Sequence, residues 1–179
     1  PVSISGVGLH TGEKVTVTLK PAPENHWYKF QRIDMPGKPL IDADADNVVS
    51  TDHGTTLEQN GARVHTTEHL LAALVGLEID NCLIEVTGPE MPILDGSSKP
   101  FVDALEKVGA RKQSAPMTYY TISHNIFLTD NDKKVEMVAM PSEQYRINTL
   151  IDFNSPVLGT QHAALKNIKD FNSEIAPCR

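Results

Sequence analysis

The chain has 179 residues, of which 40% are hydrophobic and 22% charged, and its formal net charge is −7. This length holds one domain, or one domain and part of a second, of ordinary globular composition. The acidic balance argues against a broad nucleic-acid surface, and no stretch approaches the length of a membrane span. An anionic small molecule, which needs only a local basic cluster, stays open.

Ser3 to Gly12 carries three glycines, Gly6, Gly8 and Gly12, and no Gly-Lys-Ser/Thr ending, so it is not a phosphate-binding loop. Lys14 to Lys20 alternates Val15, Val17 and Leu19 with polar residues, the pattern of a half-buried strand, and the two segments read as a hairpin. His10 at its turn either faces a cleft or is an exposed loop residue, the commoner outcome. Tyr28 to Ile33 is a second strand candidate, ended by Pro36-Gly37. Leu40 to Asn47 alternates aspartate with small or apolar residues, so Asp42, Asp44 and Asp46 are expected on one solvated strand face. The glycine and terminal Glu of a calcium loop are missing there. Val48 to Leu57 continues the β character, and Asn60-Gly61 is a two-residue hairpin turn.

Thr66 to Leu74 opens like a helix, with two possible capping threonines, a carboxylate in the first turn and strong helix formers behind. Leu70, Leu71 and Leu74 are expected on its buried stripe, and Gly76 is expected to close it. Glu68 and His69 sit at its positively polarised mouth. A base beside an imidazole suits a metal hydrolase, but a favourable first-turn Glu next to a partly exposed His is the commoner meaning of such a pair. His65, four residues before His69, falls ahead of the helix and is not paired with it as a ligand. Cys82 to Val86 reads as an apolar strand with Cys82 in the core, followed by the rigid loop Gly88 to Pro92. Pro100 to Val108 reads as a second helix with Phe101, Ala104, Leu105 and Val108 on one face and Gly109 as its stop.

The fold class is therefore α+β, a two-layer sandwich of sheet and paired helices over residues 1–115. Lys112 to Pro116 reads as a linker. Residues 116–179 read as the incomplete, β-rich start of a second, similar domain. Its strands are expected at Tyr119 to Ser123, Ile126 to Leu128, Val135 to Ala139 and Tyr145 to Phe153, with irregular chain after Pro156 and a possible short helix from Phe171. The chain begins on strand-like sequence and stops just after that helix, so it is expected to be part of a longer protein. Cys82 and Cys178 form neither a CxxC motif nor a disulfide framework, which fits a reducing cytoplasm.

Three ordered stretches carry a resemblance: Ser5 to Gly12, Thr67 to Asn81 and Gly88 to Ser98. They closely resemble the bacterial zinc UDP-3-O-acyl-N-acetylglucosamine deacetylases of lipid A biosynthesis, and the resemblance runs more weakly beyond Pro116. It implies two α+β domains, a Zn2+ cofactor and a UDP-linked acylated glucosamine substrate. It further implies His69 as a zinc ligand, Glu68 as the general base, and Leu9 and His10 as site wall near the acyl group. Asp152 and Phe153 are implied as uridine contacts, with Phe153 stacking on the base, and Lys133 as a pyrophosphate contact, although its spacing to Phe153 differs from the family's. The remaining zinc ligands of the family, a His and an Asp from a later helix, have no match in this chain, so the chain by itself is expected to bind zinc weakly and to be inactive. A non-catalytic binding or scaffold module on the same fold is the alternative.

Overall fold

β1 (Val2–Val7) and β2 (Lys14–Pro21) pair antiparallel with Val2 opposite Leu19 and Val7 opposite Lys14, the hairpin that the alternation predicts. The computed structural model describes all residues from 1 to 179. β2 buries Val15, Val17 and Leu19 and leaves the alternate positions half-covered, because successive side chains of a strand point to opposite faces. β3 (Tyr28–Arg32) and β4 (Leu40–Asp42) form a second antiparallel pair, and β8 (Cys82–Val86) lies between β2 and β3. The five-stranded order is β1-β2-β8-β3-β4, with only the β3–β8 pair parallel. Phe30, Ile41, Ile84 and Val86 add the buried residues of β3, β4 and β8.

β5 (Val48–Ser50), β6 (Thr56–Gln59) and β7 (Ala62–Val64) make a separate three-stranded sheet. Asn60 and Gly61 turn it with φ of +54° and +74°, the left-handed pair that a two-residue hairpin needs. Arg32, buried on β3, donates to the Arg63 carbonyl at 2.6 Å and to both carboxylate oxygens of Asp34, linking the two sheets. Two helices pack on each other, α1 (Glu68–Gly76) and α2 (Lys99–Val108), and α2 also touches β1. The protein is thus α+β, as the sequence predicts.

Residues Pro1–Ser114 and Ile168–Arg179 form one compact unit, and Ala115–Asn167 form another. The sequence placed all of 116–179 in a second domain; its last stretch instead belongs with the first unit, where Phe171 is buried against Gly76 of α1. The second unit holds two hairpins. β9 (Ile126–Asp130) pairs with β10 (Val135–Ala139), and β11 (Ile147–Asp152) pairs with β12 (Thr160–Leu165).

Several local expectations are corrected. β4 stops at Asp42, and Asp44 caps a short turn by accepting the Asp46 N–H at 3.0 Å, so the three aspartates do not share a strand face. Leu71 is only half-buried, and Ala73 takes its place beside Leu70 and Leu74. Gly76 is the last helical residue rather than the stop, which falls on Leu77. On α2, Val102 joins Phe101 and Leu105 in the core, while Val108 is 51% exposed. Tyr119 to Ser123 forms no strand, and Tyr120 is 93% exposed. β12 lies where irregular chain is expected, because its polar Thr160-Gln161-His162 start hides the period that pairing with β11 then imposes.

Candidate active site

The head of α1 is shaped from outside the helix. Neither Thr66 nor Thr67 caps it in the ordinary way: Thr67 makes no side-chain cap bond, and its Oγ1 donates to the Thr55 carbonyl at 3.3 Å. Thr66 sits at φ +59°, an uncommon setting for a β-branched residue. Its hydroxyl donates to Glu90 Oε1 at 3.3 Å, and the neighbouring His65 pairs in parallel with Glu90. Glu68 and His69 follow, both half-buried in the first turn. Glu68 Oε2 accepts the Thr55 N–H at 3.0 Å, so the carboxylate is oriented by the β5–β6 loop as well as by the helix.

A cavity of about 240 Å³ opens beside this turn, lined among others by His10, Asp52, His53, His65, Thr66 and Glu90. Leu9, 59% exposed, and His10 lie on the β1–β2 turn, which Gly8 closes through its N–H to the Glu13 carbonyl at 3.0 Å. The His10 ring meets the His53 carbonyl through Nε2 at 3.0 Å. A carbonyl can only accept, so Nε2 of His10 carries the proton. Glu90 is 1% exposed. Burial pushes its carboxyl pKa up, but the N–H groups of His10 and Thr11 and the hydroxyls of Thr11 and Thr66 outweigh that and hold it below the usual carboxylate range. Gly8 must be glycine here, since a Cβ would fall within 3.0 Å of the Glu90 carboxylate and of Thr11 Oγ1.

The structure ties His10 and Glu68 to one loop, His10 through the His53 carbonyl and Glu68 through the Thr55 N–H, while His69 follows Glu68 in α1 and does not line the cavity. Asp152 and Phe153 lie at the end of β11 in the second unit, where Asp152 Oδ1 accepts the Asn154 N–H at 2.9 Å and Phe153 is 43% exposed. Lys133 occupies the β9–β10 turn of the same unit, its N–H donating to Asp130 Oδ1 at 3.0 Å. The sequence reading missed Glu90 and the His53–Thr55 loop. A glutamate between two prolines in an otherwise apolar loop is the signal that could have found the first; nothing local marks the second.

As a metal site the residues present are incomplete. His69 offers one imidazole, and no group of three or more His, Cys, Asp or Glu side chains converges to hold an ion. One imidazole beside one carboxylate fits a share of a metal site, not a whole one.

An α+β unit with a carboxylate–imidazole pair in the first turn of a helix, beside a histidine-lined cavity, is the class of site found here. The profile of the LpxC family, UDP-3-O-acyl N-acetylglycosamine deacetylase, matches residues 1–179, and the chain belongs to that family. It is 48% identical over 177 residues to the bifunctional enzyme LpxC/FabZ of Bacteroides thetaiotaomicron, covering 99% of this chain and 38% of that protein. It is 43% identical over 178 residues to the UDP-3-O-acyl-N-acetylglucosamine deacetylase of Myxococcus xanthus, with 99% of this chain and 56% of the relative covered. Against the deacetylase of Geotalea uraniireducens the identity is 39% over 179 residues, 99% of this chain and 58% of the relative. The chain therefore spans between 38% and 58% of the length of these relatives. No helix is long and apolar enough to cross a membrane.

Proposed function

We propose that the full-length protein is a zinc-dependent amide hydrolase of the cytoplasm. Its reaction would remove the N-acetyl group of UDP-3-O-(3-hydroxyacyl)-N-acetylglucosamine, the committed step of lipid A biosynthesis. The observation that carries this reading is the Glu68–His69 pair at the accessible head of α1 in a chain of the LpxC family.

In this reading His69 is one zinc ligand. It lies in the first turn of α1, where it is half-buried. The other ligands belong to parts of the full-length protein outside these residues, and the chain alone is proposed to bind zinc weakly and to be inactive. Zinc supplies a lowered pKa to a bound water and polarises the acetyl carbonyl. Glu68 is the base. With Oε2 committed to the Thr55 N–H, Oε1 is the oxygen that takes the proton from the attacking water. The protonated Glu68 then returns that proton to the departing amine nitrogen, which leaves the carboxylate as it began. Leu9 and His10 form wall near the acyl chain, Phe153 stacks on the uracil with Asp152 beside it, and Lys133 meets the pyrophosphate.

Glu68→Gln in the full-length protein tests this. The amide keeps the size and the Thr55 contact but cannot accept the proton. Zinc content should be unchanged and turnover should fall by a factor on the order of 100 or more. Near-normal turnover would remove Glu68 from the role of base.

A further inference from the structure

We infer that Glu90 is a positioning residue for Glu68: its buried carboxylate locks the turn that carries His10 and the residue that enters α1 into one frame around the base. The inference rests on the reading of Glu68 as the base.

The backbone of Glu90 is fixed first. The His65 N–H donates to the Pro89 carbonyl at 2.8 Å and the Met91 N–H to the His65 carbonyl at 3.0 Å, so Glu90 is clamped beside the strand that leads into the helix. Its side chain then gathers donors from two other segments. Oε1 accepts from the His10 N–H at 3.0 Å and the Thr66 hydroxyl at 3.3 Å, while Oε2 accepts from the Thr11 N–H at 2.8 Å and the His10 N–H at 3.2 Å.

Two arms run from this carboxylate to Glu68. The first passes through Thr66, whose left-handed φ of +59° sets the direction in which the helix starts, two residues before the base. The second passes through His10, whose Nε2–H holds the His53 carbonyl at 3.0 Å; two residues further on, the Thr55 N–H holds Glu68 Oε2 at 3.0 Å. The Thr55 carbonyl closes the circuit by accepting the Thr67 N–H at 3.3 Å. An anionic side chain suits the hub because several donors converge on two oxygens away from water, where charge-assisted bonds are strong. A glutamine there has one accepting oxygen, and its NH2 would face the donors that the second oxygen satisfies.

The test uses the full-length, zinc-loaded protein. Glu90→Gln should leave zinc content unchanged and KM within about threefold, while kcat falls about 10- to 100-fold, the loss expected when a catalytic group is misplaced by a fraction of an ångström to an ångström. Amide hydrogen exchange adds a local readout: the Thr55 N–H should exchange at least about tenfold faster, with the Ile84 N–H of the central strand β8 unchanged. Wild-type kcat together with wild-type Thr55 exchange overturns the inference. Should Glu90→Gln fail to fold, Thr66→Val removes only the hydroxyl arm. It should then lower kcat by about two- to fivefold and still speed Thr55 exchange, and no change in either again overturns the inference. Glu68→Gln run beside them separates the two readings. Slow Glu68→Gln with normal Glu90→Gln rejects the positioning role alone. Normal Glu68→Gln with accelerated Thr55 exchange in Glu90→Gln keeps the frame and rejects the base.

Discussion

Gly76→Ala should destabilise the protein, although the substitution falls at a helical position where alanine is ordinarily the better residue. Helix propensity favours alanine over glycine by up to about 1 kcal/mol, less at the last residue of a helix. Against this stands Phe171, which is 5% exposed and packs directly over the glycine. A Cβ on residue 76 would lie 2.6 Å from Cε1 of that ring and closer still to Cγ and Cδ1. The ring must leave, and exposing a buried phenylalanine costs about 2–3 kcal/mol. The balance is a loss of about 1–2 kcal/mol. Urea unfolding of the full-length protein reads it, and a double-mutant cycle isolates the cause. Phe171→Ala alone should cost about 3 kcal/mol or more, and in that background Gly76→Ala should turn neutral or stabilising. If Gly76→Ala cost the same with and without the ring, the steric argument would be wrong.

His69→Ala in the full-length protein should lower zinc content, measured by metal analysis on protein that still unfolds cooperatively; unchanged stoichiometry would reject the residue as a ligand. Tyr28 gives a pH dependence at the alkaline end. Burial, with added repulsion from Asp80 and Cys82, pushes its phenol up to about 12 from 10.0, and its hydroxyl donates to the Ile79 carbonyl at 2.5 Å. A folded-state pKa above the unfolded one means stability that is complete below pH 10 and lost as pH rises from 10 towards 12. Tyr28→Phe should flatten that part of the stability–pH curve, and an unchanged slope would locate the titrating group elsewhere.

The regular elements of the first unit were legible because their patterns are local. Val15, Val17 and Leu19 alternate, Asn60-Gly61 fits a tight turn, and Cys82 to Val86 is apolar and β-branched, so short-range physics fixes each without knowledge of its neighbours. The Glu68–His69 pair was not legible in this way, since locally it reads as an ordinary helix start; the three motifs around it led to the family, and the resemblance gave the pair its proposed role. What failed locally failed for a shared reason. β12 carries too few apolar residues to announce a strand until β11 pairs with it, and Gly76 looks like a helix stop until Phe171 arrives from 95 positions further on.

The sequence by itself determined the α+β class, most strands and both helices, and it marked Glu68 and His69 at the head of α1 as the residues to which the proposed chemistry is assigned. Only the tertiary structure decided how that head is held. Glu90, His10, His53 and Thr66 come from four separate segments, and nothing in their spacing brings them together. Their association follows from burying one carboxylate: removed from water, it must find donors, and the N–H and hydroxyl groups that satisfy it fix the loops around Glu68.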